Sequence, residues 1–76
     1  MTRRIQAGAH VRVIRETHDG VELESASRLR PGQHVDLVLD HSAVTDASAR
    51  AALVVSWSVA RLGKDGPVYR GLCRWR

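Results

Sequence analysis

The stretch Arg50-Ala-Ala-Leu-Val-Val-Ser-Trp-Ser-Val-Ala-Arg-Leu-Gly-Lys-Asp-Gly-Pro-Val-Tyr-Arg-Gly-Leu-Cys-Arg-Trp75 decides the fold. Its first half gathers Leu53, Val54, Val55, Trp57 and Val59, broken only by small or polar residues. Gly63 to Pro67 then carries a dense turn signal. The second half, Val68 to Trp75, is again β-branched and aromatic with polar residues interleaved. Two such runs joined by a short glycine-containing loop predict an antiparallel hairpin. Both tryptophans lie in it, which makes them the expected largest blocks of buried area.

Working outward, the same alternation recurs. His10 to Glu16 places Val11 and Val13 on one face and Arg12 on the other, as a half-buried strand does. Thr17-His18-Asp19-Gly20 follows, and Asp-Gly favours a tight hairpin turn because glycine tolerates positive φ. Val21 to Glu24 alternates again with Val21 and Leu23 inward, so a first hairpin is expected. Ser25 to Gly32 is a connector closed by Pro31-Gly32, with proline fixing φ and glycine taking the reversed position. Gln33 to Asp40 sets Val35, Leu37 and Leu39 against His34, Asp36, Val38 and Asp40. Val38 is the exception on that polar face, which implies either a covered face or a neighbouring chain.

His41 to Arg50 is small, polar and weakly patterned, and reads as a loop, with one helical turn capped by Ser42 as the other option. Residues 1–8 read as a mobile or loosely docked arm. No helix-period segment of useful length interrupts the pattern. Short strands at roughly ten-residue spacing predict an all-β barrel or sandwich of about five or six antiparallel strands, formed as a single domain by residues 9–76.

A chain of 76 residues buries only ~60% of its unfolded surface. It therefore needs a compact closed sheet or a partner. The single cysteine, Cys73, excludes an internal disulfide and fits a reducing cytoplasm. No apolar run approaches the ~20 residues of a membrane span, and the first residues lack the apolar core of a signal peptide. The net charge is +4, and eleven of the twelve basic residues are arginine. Arginine presents a planar fork to phosphates, carboxylates and guanine edges. The same composition is also what a GC-rich bacterial genome produces, so charge alone is only a hint of a polyanionic partner.

His10, His18, His34 and His41 fall on different predicted elements without metal-ligand spacing, so no metal site is expected. There is no Gly-x-Ser-x-Gly elbow. Cys73 alternates with Leu72 and Trp75 in a strand, as a packing residue does. An enzyme is not expected.

Three passages resemble the PilZ family of bacterial regulatory domains. Leu29-Arg-Pro-Gly-Gln-His-Val-Asp-Leu-Val-Leu39 is similar to its "leucine, proline-glycine, alternating strand" segment. Leu53-Val-Val-Ser-Trp57 looks like its strand ending in valine-x-tryptophan. Tyr69-Arg-Gly-Leu-Cys-Arg-Trp75 resembles its closing "glycine-leucine-x-aromatic" strand, with Trp75 where phenylalanine is usual. The resemblance spans roughly residues 11 to 75 and implies a small antiparallel β-barrel. It also implies cyclic di-guanylate (cyclic di-GMP) as ligand, with no other cofactor.

The family holds that ligand with an arginine-x-x-x-arginine arm and an Asp/Asn-x-Ser-x-x-Gly hairpin motif. Carried over, these point to Arg3 and Arg4 in the arm and to Thr17 and Gly20 at the hairpin. Arg15 falls at the acidic position and reverses its charge, and Arg3 and Arg4 are adjacent rather than four apart. The expected function is a non-catalytic regulatory or adaptor module in cyclic di-guanylate signalling, working with a protein partner or a second copy. The alternative is a nucleic-acid-binding barrel using Arg61, Arg70, Arg74 and Arg76 with Tyr69 and Trp75 nearby.

Overall fold

The computed structural model describes residues 3–6, 11–38 and 49–76. They form one six-stranded sheet from β1 (Arg3–Gln6), β2 (Val11–Glu16), β3 (Gly20–Ser25), β4 (His34–Val38), β5 (Arg50–Gly63) and β6 (Gly66–Trp75). The spatial order is β1-β4-β5-β6-β3-β2. Neighbours pair antiparallel except β1, which runs parallel to β4. The all-β expectation holds, and none of the described residues is helical. In particular, no helix long and apolar enough to cross a membrane is found among them.

β1 and β2 lie at opposite edges of the sheet, yet only four residues separate Gln6 from Val11. Ile5 and Val11 also belong to the same buried cluster. The sheet therefore curls over its apolar face into a half-barrel. Val21, Leu23, Val35, Leu37, Ala52, Val54 and Cys73 fill the inside, none more than 1% exposed. These are the inward positions of the period-two pattern, the face that removal from water favours.

Three readings of the sequence change here, and the alternative left open at Val38 is decided. Where an arm is expected, Arg3–Gln6 is a strand, because Ile5 packs into the core between the exposed Arg4 and Gln6. Val38 is fully buried, so its face is covered within the chain itself. The tryptophans are half-buried rather than central, and the core is aliphatic. They pack on it at opposite ends of β3. There the indole N–H of Trp57 donates to the Ser27 carbonyl (3.0 Å) and that of Trp75 to the Thr17 carbonyl (3.1 Å). An indole carries a polar N–H that needs a partner, and the loops at the rim supply it.

The third change concerns Gly20. Gly32 has the predicted positive φ (88°), but Gly20 does not. A Cβ at Gly20 would collide with the Cys73 carbonyl oxygen. Close approach of β6, not backbone reversal, demands glycine there. The closing hairpin matches expectation: Gly63 pairs with Gly66 around the turn Lys64-Asp65. Leu39, Asp40, His10, His41 and the predicted loop over 41–48 lie outside the described residues.

Pairing slips by one residue at three places: between Val13 and Arg15 in β2, and between Val54 and Ser56 and between Val59 and Arg61 in β5. Each bulge shifts the phase of alternation for the residues beyond it.

Candidate functional site

With Val21 and Leu23 inward, the alternation of β3 turns Glu22 and Glu24 to the outer face. Register then sets Arg12 of β2 on one side of Glu24 and Arg70 of β6 on the other. Arg61 arrives by a different route. Trp57 and Val59 pair with Gly71 and Tyr69 on the inner face, and unbroken alternation would send residue 61 inward as well. The bulge at Ala60 adds one residue, so Arg61 emerges on the outer face beside Glu24.

The result is a carboxylate ringed by guanidinium groups. Arg61 Nη1 donates to Glu24 Oε1 at 2.5 Å, and Arg70 Nη2 donates to Oε2 at 2.9 Å. Arg12 Nη2 stands 3.7 Å from Oε1. Glu24 is 4% exposed, whereas all three arginines reach solvent. The Arg70 hydrogen bond, and after it the Arg61 one, hold the Glu24 carboxyl below its ordinary value of 4.5, against the opposing pull of burial. Charge-assisted bonds of this kind fix the orientation of both partners. Three cations around one anion give the immediate surroundings of Glu24 an excess of positive charge.

The cluster forms one wall of an open cleft of about 530 Å³, with Arg12, Glu24, Arg61 and Lys64 on its sides and the Lys64-Asp65 turn at its end. Two further depressions, of about 270 and 360 Å³, share Glu22 and Leu72 with each other. Arg70 lines the larger of these two. Fixed guanidinium forks beside open depressions suit the capture of an anion. Away from this cluster, burial pushes the Cys73 thiol up to about 11.

Of the residues singled out in the sequence, Arg15, Thr17 and Gly20 come together around the 270 Å³ depression. Two of them are engaged in the turn itself. The Gly20 amide donates to Thr17 Oγ1 (3.2 Å), and the Thr17 amide donates to the Gly20 carbonyl (2.8 Å). Arg15, exposed and opposite Glu22, is the member of the trio that carries charge to solvent. Arg3 and Arg4 are not brought to this place. They sit on β1, in register with Val35 and Asp36, at the sheet edge opposite β2.

The arginines of the closing hairpin also part company. Arg61 and Arg70 converge on Glu24, while Arg76 reaches His34 Nδ1 at 2.5 Å. Sequence reasoning missed Glu24 as the organising residue and Arg12 as its neighbour. The outward alternation of Glu22 and Glu24 was the available signal. Among the described residues, no group of three His, Cys, Asp or Glu side chains could hold a metal ion. No family model, curated protein or solved structure matches the chain.

Proposed function

We propose that this chain is a non-catalytic regulatory module of the PilZ kind that binds a phosphate-bearing nucleotide on its outer sheet face, with cyclic di-guanylate as the ligand to test first. The arginine cluster around Glu24 carries this reading. An arginine has five N–H donors, and Glu24 occupies one on Arg61 and one on Arg70. Arg12 and Arg61 line the cleft, and Arg70 lines the 360 Å³ depression. Because Glu24 already orders two of the side chains, a ligand meets donors whose rotamers are partly fixed, which lowers the entropic cost of binding. Arg12 and Arg70 lie two strands apart, a backbone separation of ~10 Å at the usual sheet spacing. That spread suits a ligand with several polar groups better than a lone ion.

The nucleic-acid reading shares the arginines and lacks the stacking platform. Trp57, Trp75 and Tyr69 all fall on the inner face by register, opposite Gly71, Ala52 and Ser25. Single-strand binding of the usual kind combines a basic groove with aromatic faces on the same surface.

The deciding experiment is calorimetric titration with cyclic di-guanylate, and in parallel with a short single-stranded oligonucleotide, using wild type and the Arg12→Ala and Arg15→Ala variants. The Arg3→Ala/Arg4→Ala variant tests the family-derived arm. Micromolar binding of the dinucleotide, weakened ~10-fold or more by Arg12→Ala (a loss of ~1.4 kcal/mol or more), supports the proposal. No heat at hundreds of micromolar dinucleotide sinks it. Oligonucleotide binding with a steep salt dependence instead would establish the alternative.

A further inference from the structure

We infer that Glu22 reads the base of the nucleotide bound on the outer sheet face, and that the base it accepts is guanine. This rests on the nucleotide reading proposed above and assigns the group that gives it selectivity. Register lines up Arg15 of β2, Glu22 of β3, Leu72 of β6 and Ser56 of β5 in one cross-strand row. The next outward-facing row along the strands is that of the arginine cluster, with Arg12, Glu24, Arg70 and Ser58. The two rows lie two residues apart, ~7 Å at the usual strand rise.

Both ends of the Glu22 row are set by bulges. Unbroken pairing would place Ile14 opposite Glu22 and Val55 opposite Leu72. The slip between Val13 and Arg15 brings Arg15 to Glu22 instead, and the slip between Val54 and Ser56 brings Ser56 to Leu72. Two separate insertions thus each exchange an apolar neighbour for a polar one around the same pair of residues. Bulges beside binding sites re-aim side chains in this way. What they flank is a carboxylate without a partner. Glu22 is half-buried, and among the described residues it makes no hydrogen bond and no ion pair, not even with Arg15.

An ionised carboxylate accepts hydrogen bonds through both oxygens and donates none. It therefore selects a ligand edge that carries two adjacent donors. A cationic donor is disfavoured here, because arginines stand in this row and in the next. Among the bases, the Watson–Crick edge of guanine alone carries two adjacent N–H groups, at N1 and N2. Adenine, cytosine and uracil each set a donor beside an acceptor. Leu72, 46% exposed, gives a flat ring an apolar floor, and both depressions that Glu22 lines also expose Leu72. Ser56 flanks Leu72 on the side away from Glu22. Its Oγ accepts from the Leu72 amide (3.3 Å), which leaves the hydroxyl proton for an acceptor on the opposite edge of the ring, such as guanine N7. Arg70, one row on, is placed for the phosphate.

The test is calorimetric titration of wild type and Glu22→Gln with cyclic di-guanylate and cyclic di-adenylate, with Arg12→Ala for comparison. Glutamine keeps the size of the side chain and presents one acceptor and one donor, the pattern adenine matches. Wild type is expected to bind the guanine compound ~10-fold or more tightly than the adenine one, the discrimination of one bidentate pair. Glu22→Gln should keep its β-sheet circular dichroism, lose ~10-fold or more for the guanine compound, and hold or gain for the adenine one. Arg12→Ala should weaken both alike, as loss of a phosphate contact does. A ligand-side comparison needs no variant: cyclic di-inosinate, which lacks the N2 amino groups, should bind wild type ~10-fold or more weakly than cyclic di-guanylate. Equal binding of the three compounds by wild type overturns the assignment, and so does an unchanged guanine affinity in Glu22→Gln. In either case a loss in Arg12→Ala leaves the nucleotide reading standing. No binding of any of the three overturns both.

Discussion

Gly71→Ala is the sharpest probe of how this sheet is packed. Gly71 sits in a cross-strand row between Leu23 of β3 and Trp57 of β5, buried beneath the indole. A Cβ there would fall far inside 3.0 Å of both the Ser56 carbonyl oxygen and Trp57 Cε3. Non-bonded heavy atoms rest at ~3.5–4 Å, so one methyl group requires β5 and the Trp57 ring to retreat by ~1 Å or more. Overpacking of that kind costs ~1–3 kcal/mol. Retreat of the ring also loosens the indole N–H bond to Ser27, which adds ~1 kcal/mol. The lower entropy of an unfolded alanine offsets ~0.4–1 kcal/mol of this. The expected net loss is about 2–3 kcal/mol, and for a domain of this size each kcal/mol moves Tm by ~4–8 °C.

The assay is thermal and urea unfolding followed by tryptophan fluorescence, with Gly32→Ala alongside. Gly32 has φ +88° and open space around it, so its alanine reports backbone strain alone, ~1–2 kcal/mol. Gly71→Ala should melt at least ~8 °C below wild type and show red-shifted emission from a displaced indole. A Gly71→Ala protein melting within ~3 °C of wild type, with unchanged emission, would refute the packing of β5 on β6.

Three further outcomes follow from the same interior and outer face. Glu24→Gln should destabilise the protein at neutral pH by leaving three guanidiniums without their carboxylate. The native carboxyl lies below 4.5, so its contribution is full above that value and is lost as pH falls through the lowered one; wild type and variant should converge in urea titrations taken down that acid limb. The Cys73 thiol, 0% exposed and raised to about 11, should resist a thiol reagent at pH 8 until urea unfolds the chain. Its neutral-thiol contribution is present below 9.0 and is lost as pH rises toward 11, so alkaline unfolding should ease in that window. Trp57→Phe should cost about 1 kcal/mol, measured by urea midpoint, for the lost N–H bond to Ser27, and Trp57→Ala about 3 kcal/mol, near the low end for a ring that is only half-buried.

Most of the fold is legible in the sequence because most of it obeys a period of two. Val11 with Val13, Val21 with Leu23, and Val35 with Leu37 announce their shared face without any knowledge of the partner strand. The closing hairpin announces its turn through Gly63, Gly66 and Pro67. What escapes is whatever depends on a partner. Ile5 is a single apolar residue in Arg3-Arg-Ile-Gln6, too little for a pattern, and it becomes a strand only because β4 offers an edge. The tryptophans look like core by size alone, yet the curl of the sheet leaves an aliphatic interior and sends both rings to its rims. Gly20 looks like a turn residue by its neighbour Asp19, while its real constraint is the Cys73 carbonyl contributed from more than fifty positions away.

The candidate site shows the same limit in sharper form, because it depends on a break in the period. Reading Leu53 to Leu62 as one alternating strand assigns residue 61 to the face of Trp57 and Val59, away from Glu24. One extra residue at Ala60 reverses that facing and creates the site at once. It carries Arg61 out to Glu24 and opens the cleft before the turn. A single local insertion thus sets the charge presented on the outer face. Substitutions that straighten β5 should therefore turn Arg61 away from Glu24 and weaken anion binding in the calorimetric titration.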